Sequence, residues 1–481
     1  MRVHGLWIDG AEHPAQAGAT FAVHAPMDGT LLGYAARAQA ADADSAVLSS
    51  RRAFPVWAAL PPAERERILL RAADKVEQAS AALLDLVIDE SGSTISKARY
   101  EVTYTANLLR AAAGEVRRLY GDTLPSEKPH RLSLVIREPL GVVLAISPFN
   151  APLVLLAKMV VFPLAAGNAV IAKPSEETPL IALAFAQILH EAGLPPGVLN
   201  VVTGYGGECG LALVQHPDVD GIAFTGSTAT GAKIAQIAAP ALKRLQLELG
   251  GKNPLLVLDD ADPVQAAEVA AVGAFYHGGQ ICMSSSRIIV EKGIARPFAE
   301  ALVRKARALV LGDLRDERTA YGPLITPQAL EKVQRHVQGA IAAGAQLLAG
   351  GDVYNGLVYQ PTVLYAPPLD TPAWREETFG PVAYVVPVDD LEAAIAAAND
   401  SAMGLSAGVL TNDMQRGMNA ARRIRCGAVH VGTHSFQSDA LAPIGGFGLS
   451  GIGRSGGRYS IEHFTELKWI SLELGQTPRP F

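Results

Sequence analysis

A series of short apolar runs separated by helix-like stretches dominates residues 141–226 of this 481-residue chain. Four runs lack the alternation of polar and apolar residues typical of half-exposed strands: GVVLAIS at 141–147, AVIAK at 169–173, VLNVVTG at 198–204 and GIAFTG at 221–226. Helix-like stretches at 179–193 and 207–215 lie between them. Strands of this kind joined by helices predict a parallel sheet covered on both faces. Such sheets bind ligands beyond the carboxyl ends of their strands.

Other parts of the chain continue this mixed pattern. A second α/β series begins after residue 250, and apolar residues at helical spacing predict one or two amphipathic helices over 63–90. Leu132, Leu134 and Ile136 alternate with polar residues, which is typical of a half-exposed edge strand. Because an exposed edge needs a partner, we expect it to pair with the strand-like run at 467–472 and to support self-association.

The composition excludes several classes of protein. Lys and Arg number 41 against 47 Asp and Glu, so there is no positive surplus to recruit nucleic acid or an anionic membrane. Cys209, Cys282 and Cys426 have no paired spacing, which predicts neither a disulfide framework nor a metal site. No signal-peptide pattern is visible, and prolines and polar residues interrupt the longest apolar region, at 141–172. We therefore expect a globular cytoplasmic protein without membrane, nucleic-acid or metal partners.

Two of the predicted strand ends carry polar residues suited to ligand binding. In SPFNAP at 147–152, the amide of Asn150 is held between two prolines and could donate to a developing oxyanion. An asparagine in such a turn commonly serves as a turn cap instead. In KPSEETP at 173–179, Lys173 and Glu176 could hold the two hydroxyls of a ribose or could form a solvated helix cap.

A third strand end is followed by glycine and hydroxyl residues. FTGSTATG at 224–231 places Gly226 and Ser227 before a predicted helix, whose first N–H groups favour a pyrophosphate. The motif is neither a dinucleotide fingerprint nor a phosphate loop, so alone it is a weak signal. A further glycine-rich turn, GYGGECG at 204–210, is interpreted mainly as loop.

Candidate reactive groups are one cysteine and one carboxylate. Cys282 lies in GGQICMSSSR at 278–287, where paired glycines permit close approach of a ligand to the backbone. A lone cysteine in apolar sequence is more often buried and inert, and Cys209 and Cys426 fit that interpretation. Glu248 lies among leucines before a glycine pair; it is either a general base or a strand-end acid facing water.

Seven collinear motifs resemble those of the aldehyde dehydrogenase superfamily, and the resemblance covers essentially the whole chain. They are SPFNAP, KPSEETP, FTGST, LELGGKNP, GGQICMSSSR, EETFGPV at 376–382 and PIGGFGLSGIGR at 443–454. The resemblance implies an α/β fold with a Rossmann-type cofactor domain, an α/β catalytic domain and a small β oligomerisation arm. It implies that these comprise residues 1–118 with 140–250, residues 251–455, and residues 119–139 with 456–481, respectively. It also implies a homodimer or a homotetramer.

The same resemblance implies oxidation of an aldehyde to a carboxylic acid. Cys282 would attack the aldehyde as a thiolate, while the Asn150 amide and the Cys282 backbone N–H hold the oxyanion. Hydride transfer to the cofactor would leave a thioester, which water activated by Glu248 would hydrolyse. Family members that transfer the acyl group to coenzyme A typically lack this base, so its presence implies hydrolysis. A structural member of the fold without turnover would not need these three residues together.

Cofactor-binding roles transfer to residues at matching positions. The implied contacts are Lys173 and Glu176 with the adenosine ribose, Ser227, Gly226 and Phe149 with the pyrophosphate, and Glu377 and Phe379 with the nicotinamide ribose and ring. Because the Glu176 carboxylate would repel a 2′-phosphate, the expected cofactor is NAD, with NADP as the alternative. At position 149 many members have tryptophan, and phenylalanine lacks the indole N–H donor.

The motifs look most like the benzaldehyde, vanillin and salicylaldehyde dehydrogenase branch, which implies an aromatic aldehyde; a semialdehyde such as succinate semialdehyde is the alternative. The predicted substrate-pocket residues are Ala151, Leu155, Lys158, Ile281 and Met283. Ala151 replaces an aromatic residue of several aliphatic-aldehyde members and leaves room for a ring. Lys158 either faces the pocket, where it would favour an anionic or phenolate-bearing aldehyde, or extends to the surface of its helix.

Overall fold

Two mostly parallel sheets form the frame of the protein in the computed structural model, which describes residues 2–475. The first sheet has eight strands, in the order Gly451–Ile452, Arg244–Glu248, Gly221–Thr225, Val142–Ile146, Ala169–Lys173, Leu199–Val201, Leu6–Ile8 and Ala11–His13. Its five strands from Arg244–Glu248 to Leu199–Val201 are parallel, as the unalternating apolar runs predict. Antiparallel segments close both edges.

The second sheet has seven strands. Their order is Gln346–Ala349, Thr362–Tyr365, Val382–Val388, Arg287–Glu291, Pro254–Val257, Ser406–Leu410 and Ala428–Val431. All neighbours are parallel except the first pair. The chain passes from the first sheet to the second through the glycine pair that follows Glu248. The smaller sheets consist of Val3–His4, Leu31–Ala36 and Thr20–His24, and of the pairs Val310–Leu311 with Thr319–Tyr321, Val353–Asn355 with Val358–Tyr359, and Met403–Gly404 with Phe447–Gly448.

Helices cover the faces of both sheets. The α-helices are Ala40–Ala59, Pro62–Gln78, Ser80–Ser91, Ile95–Val116, Pro152–Ala165, Pro179–Glu191, Leu211–Gln215, Thr228–Ala238, Pro263–Phe275, Lys292–Ala308, Pro327–Ala342, Pro372–Arg375, Leu391–Asn399, Met414–Arg423 and Gly457–His463. Short 3-10 turns lie at Ala239–Ala241 and Tyr276–Gly279. The expected pair of amphipathic helices over 63–90 is confirmed. The helix-like stretch predicted at 207–215 is confirmed, because Gly206–Gly210 forms a π-helical turn that continues into the helix Leu211–Gln215. The interpretation of 204–210 as mainly loop is therefore wrong for 206–210.

A third, three-stranded sheet projects from this frame. The predicted edge strand is Arg131–Pro139, and it pairs antiparallel with Thr465–Glu473 on one side and Asp122–Leu124 on the other. Pairing of the two segments foreseen from the sequence is therefore confirmed. Residues 476–481 of the predicted arm lie outside the described part of the chain. No helix within residues 2–475 has the length and apolar character needed to cross a membrane.

Candidate active site

The carboxyl edge of the first sheet gathers the predicted polar motifs. Ile146 pairs with both Lys173 and Phe224, and Thr225 pairs with Glu248, so four strands end side by side. The loops that follow these strands therefore begin side by side at the carboxyl edge of the sheet. This register brings the SPFNAP, KPSEETP and FTGST motifs next to Glu248, although they are separated by up to about a hundred residues in the chain.

Asn150 is buried in the turn before the helix Pro152–Ala165. Its side-chain amide donates a hydrogen bond to the backbone carbonyl of Gln280, with a Nδ2–O distance of 2.8 Å. A side-chain amide has two N–H donors, so this bond fixes the orientation of Asn150 and leaves the second donor for a ligand. The bond also ties the turn to the loop that carries Cys282.

The loop before Cys282 is held by side chains that the sequence analysis missed. The Gln280 amide donates to the carbonyl of Pro323 and accepts from the N–H of Ile325, both at 3.0 Å. The Asn253 amide donates to the Cys282 carbonyl at 2.8 Å. Both polar residues lie within the recognised motifs, but only the fold shows what they contact.

A glycine is required where this loop meets its neighbour. Gly279 has φ +69°, and a Cβ atom there would lie 2.1 Å from the backbone oxygen of Gly380. A side chain at position 279 would therefore clash with backbone that has no room to move. This contact packs the nucleophile loop directly against the loop that carries Glu377 and Phe379.

The thiol of Cys282 is half-buried and electrostatically unfavourable for a thiolate. Burial, together with the carboxylates of Glu377 and Glu248, raises the pKa of Cys282 from about 9 to about 12, while Lys158 opposes this rise. The thiol is therefore protonated at neutral pH in the free protein. Before the sulfur can act as a nucleophile, a base must take this proton or a change in the site must lower the pKa of the thiol.

Glu248 does not face open water, because only 12% of its side chain is exposed. Its nearest charged partner is Lys158, whose Nζ lies 3.4 Å from Glu248 Oε1. Lys158 is itself only 5% exposed, so it does not extend to the surface of its helix. The surface alternative for each residue is therefore not observed. The assignments of Glu248 as a general base and of Lys158 to the substrate pocket stay predictions.

A cavity of ≈ 380 Å³ brings the three candidate catalytic residues together. Its lining is formed by both sheets, and includes Phe149, Asn150, Glu176, Gly226, Ser227, Glu248, Cys282, Glu377 and Phe379. The cavity thus joins a thiol, an amide donor and a carboxylate. These are the groups needed to form and hydrolyse an acyl-thiol linkage.

A second cavity, of ≈ 530 Å³, continues from the first along the carboxyl edge of the first sheet. Both are lined by Phe149, Glu176, Gly226 and Ser227. Apolar side chains and the glycine turn at 206–210 form the walls of the far end, which suits a flat base. The shape and the mixture of apolar walls with polar strand ends fit a dinucleotide.

Polar side chains of the KPSEETP and FTGST motifs line this cleft. Lys173 is buried, with its Nζ 2.7 Å from the Pro174 carbonyl and 3.7 Å from Glu176 Oε2. Glu176 is 39% exposed and can accept hydrogen bonds from hydroxyl groups. Ser227 caps the helix Thr228–Ala238, and its Oγ accepts from the N–H of Thr230. The remaining N–H groups of that helix end can bind an anion.

Glu377 and the two phenylalanines lie where the two cavities and the two sheets meet. Glu377 accepts a hydrogen bond from the N–H of Gly251 at 3.2 Å, and burial raises the pKa of its carboxyl group. The rings of Phe149 and Phe379 pack edge to face with centroids 6.0 Å apart. Phe149 thus contributes packing, and its ring has no donor for a phosphate.

The other predicted substrate-pocket residues are not part of these cavities. Ala151, Leu155, Ile281 and Met283 are half-buried, and neither they nor Lys158 line the two cavities. Their assignment stays a prediction. Cys209 and Cys426 are buried thiols, with their pKa raised to about 11 mainly by burial, as expected for inert cysteines.

A group of aromatic side chains near Glu248 was missed by the sequence analysis. It consists of two stacks, Tyr100 on Tyr104 and Tyr276 on Phe436, with His434 packed on Phe436. The pKa of Tyr104 is raised mainly by burial, and also by the charges of Asp439 and Glu248. The rings come from three distant segments of the chain, so no local pattern predicts the group.

Comparison with known proteins agrees with this geometry. The aldehyde dehydrogenase family model matches residues 13–470. Vanillin dehydrogenase from Pseudomonas fluorescens is 39% identical over 478 residues, which cover 99% of this chain and 99% of that protein. Glutarate-semialdehyde dehydrogenase from Pseudomonas putida is 36% identical over 472 residues, which cover 98% of this chain and 97% of that protein.

Solved structures agree as well. The crystal structure of NAD-dependent aldehyde dehydrogenase from Sinorhizobium meliloti matches with a TM-score of 0.97 and 37% identity, covering 100% of this chain and 96% of that chain. The chain therefore belongs to the aldehyde dehydrogenase family. The predicted superfamily and fold class are confirmed.

Proposed function

We propose that this protein oxidises an aromatic aldehyde to the carboxylic acid with NAD as hydride acceptor. The observation that carries the proposal is the convergence of Cys282, Asn150 and Glu248 on one cavity that continues into a nucleotide-sized cleft. Lys173, Glu176 and Ser227 would hold the adenosine ribose and the pyrophosphate, with Gly226 and Phe149 beside them. Glu377 and Phe379 would hold the nicotinamide end.

The proposed reaction begins at the sulfur atom. Cys282 loses its proton to solvent water, and the thiolate bonds to the carbonyl carbon of the aldehyde. The free N–H of the Asn150 amide and the Cys282 backbone N–H stabilise the resulting oxyanion. When bound, NAD would supply the hydride acceptor for this adduct, and Cys282 would then carry an acyl group on its sulfur. Glu248 then takes a proton from water, the water oxygen attacks the acyl carbon, and the bond to sulfur breaks.

Replacing the nucleophile tests the proposal. Cys282→Ala should abolish formation of NADH from benzaldehyde, measured by absorbance. Cys426→Ser is the matched control, because this buried thiol lies outside both cavities, and it should leave turnover near wild type. Undiminished acid formation by Cys282→Ala would contradict the proposed chemistry.

Replacing the base separates the two half-reactions. Glu248→Gln should give a rapid burst of about one NADH per active site followed by slow turnover, because the thioester forms but is not hydrolysed. Equal loss of the burst and of the steady rate would contradict the assignment of Glu248 to hydrolysis.

The aromatic substrate class is supported by the similarity to a vanillin dehydrogenase. It is also supported by the stack of Tyr100 on Tyr104, because Tyr104 is near enough to Glu248 for that charge to raise its pKa. The similarity to a glutarate-semialdehyde dehydrogenase supports the alternative, a semialdehyde. Values of kcat/KM for benzaldehyde, vanillin and succinate semialdehyde distinguish them. A clear preference for succinate semialdehyde would reject the aromatic assignment.

We also propose the assembly and the surroundings of the enzyme. Residues 1–118 with 140–250 would form the cofactor domain, residues 251–455 the catalytic domain, and 119–139 with 456–481 the arm. The arm strand Thr465–Glu473 carries Leu467 and Trp469, which are 61% and 64% exposed, and such apolar exposure supports a homodimer or a homotetramer. The free thiols suit a reducing compartment such as the cytoplasm.

A further inference from the structure

Lys158 is a buried cation with one charged partner. Its ammonium group lies 3.4 Å from Glu248 Oε1, and the side chains are 5% and 12% exposed. Within residues 2–475, no other hydrogen bond or ion pair reaches the Lys158 ammonium or the Glu248 carboxylate. The pair joins the helix Pro152–Ala165 to the end of the strand Arg244–Glu248.

Stability alone does not account for a lysine at this position. Every residue of the helix from Leu156 to Ala165 is buried, and apart from Lys158 all of them are apolar. Burying an ammonium costs several kcal/mol, and apolar residues of similar volume often replace buried ion pairs with no loss of stability. A methionine would fit the surroundings better, so the positive charge points to a role in the site.

The geometry of the pair favours an electrostatic role over rigid anchoring. At 3.4 Å the contact is longer than the 2.7–2.9 Å usual for a charge-assisted hydrogen bond. The Glu248 carboxylate therefore lies beside the positive charge of Lys158 without a short hydrogen bond that would fix its orientation. It can still accept a proton from a water molecule.

The other groups that face this pair are a thiol, a phenol and a second carboxylate. Glu248 and Glu377 both raise the pKa of the Cys282 thiol, and Lys158 lowers it. Tyr104, on the helix Ile95–Val116, has its pKa raised in part by the charge of Glu248. Lys158 is therefore the cation in contact with Glu248, whereas the positive neighbours of Glu377 are Lys332 and Lys252.

We propose that Lys158 is a positioning residue for hydrolysis, whose positive charge beside Glu248 stabilises the carboxylate form that accepts the proton of the attacking water. The inference rests on the proposed function and adds a residue to it. The water proton moves to Glu248, the water oxygen bonds to the acyl carbon, and the carbon–sulfur bond breaks to leave the Cys282 thiolate. Lys158 exchanges no proton in this step, and no oxidation or reduction occurs.

The pH profile of Lys158→Met tests this role. Without the cation, a carboxylate with little solvent access favours its neutral form. The acid limb of the kcat profile should move up by about one to three pH units, with about a tenfold or greater loss at pH 7 and recovery at alkaline pH. Benzaldehyde is the substrate for this test, because it has no ionisable group for Lys158 to bind. The NADH burst of one per site should remain.

Four further variants isolate the effect of charge. Lys158→Arg should restore most of the wild-type profile, and Lys158→Gln should repeat the shift without an apolar side chain. In a Glu248→Gln background, Lys158→Met should cause little further loss of the steady rate, because the group on which it acts is absent. Lys305→Met removes a surface lysine paired with Glu268 and should leave the profile unchanged.

Other outcomes would overturn the proposal. An equal loss of kcat at every pH, or a burst lost together with turnover, would assign Lys158 to folding or to thioester formation. A change in KM for vanillin with an unchanged profile for benzaldehyde would make Lys158 a substrate-binding residue only. Failure of the proposed function is distinguishable, because the wild-type protein would then produce no NADH from any of the aldehydes.

Discussion

The buried pair Lys97–Glu101 anchors the turn that carries Asn150. Glu101 accepts hydrogen bonds from the backbone N–H groups of Leu153 and Val154, the first turn of the helix that follows Asn150. It also forms an ion pair with Lys97, and the two side chains are 1% and 5% exposed. A carboxylate at a helix N-terminus satisfies free N–H donors and interacts favourably with the helix dipole.

Glu101→Gln keeps the shape of this side chain and removes its charge. Lys97 then remains buried, with Ser93 Oγ as its other hydrogen-bond partner at 2.9 Å. Breaking a buried ion pair in this way costs about 3–5 kcal/mol. At about 2.1 cal/mol/K per residue, the unfolding entropy of the 481-residue chain is about 1 kcal/mol/K. We therefore expect Tm to fall by about 3–5 °C if the chain unfolds as one unit.

Differential scanning calorimetry at one fixed scan rate measures the change, because a chain of this size can unfold irreversibly. Glu77→Gln is the matched control: it breaks an ion pair with Arg110 on the surface, where the side chains are 52% and 39% exposed. Exposed pairs contribute about 0–1 kcal/mol, so this control should lower Tm by about 1 °C or less. Equal shifts for the two variants would refute the reasoning.

Three further predictions concern the thiol, the cofactor and the arm. Because the pKa of Cys282 is raised to about 12, its alkylation by iodoacetamide in the free protein should accelerate by about tenfold per pH unit between pH 7 and 9; a plateau in that range would contradict the raised pKa. Glu176→Gln should lower the KM for NADP relative to that for NAD, because the repulsion of a 2′-phosphate is removed, and an unchanged ratio in steady-state kinetics would reject this role. Trp469→Glu should reduce the oligomer size measured by light scattering, and an unchanged mass would exclude this surface as the interface.

Local patterns were sufficient to predict the central strands. The runs at 141–147, 169–173 and 221–226 correspond to observed strands whose ends differ from the predictions by one residue at most. Buried parallel strands have a clear pattern in the sequence: because both faces of the sheet are covered, the strand is apolar along its whole length. The glycines at 206–210 were misinterpreted because their helical turn is stabilised by packing rather than by local preference.

Contacts between distant segments could not be predicted from those patterns. Lys97 and Glu101 have the spacing of an ordinary solvent-exposed helix pair, so the sequence gives no sign that they are buried. Lys158 and Glu248 are ninety residues apart, and each alone has an ordinary surface interpretation. Only the register of the sheet and the packing of the helix Pro152–Ala165 against it bring them together.

The site also depends on strained backbone at its second sheet. His277 and Phe379 adopt positive φ values of 52° and 57°, which are uncommon for residues other than glycine. They lie in two loops that precede the strands Arg287–Glu291 and Val382–Val388, and Gly279 packs against Gly380 between them. Each loop holds the other in a conformation that it would not adopt alone. These loops hold the Cys282 thiol and the Glu377 carboxylate on one side of the cavity. The strand ends of the first sheet form the opposite side. The role proposed for Lys158 relies on this arrangement, because a buried charge acts most strongly on groups held close to it.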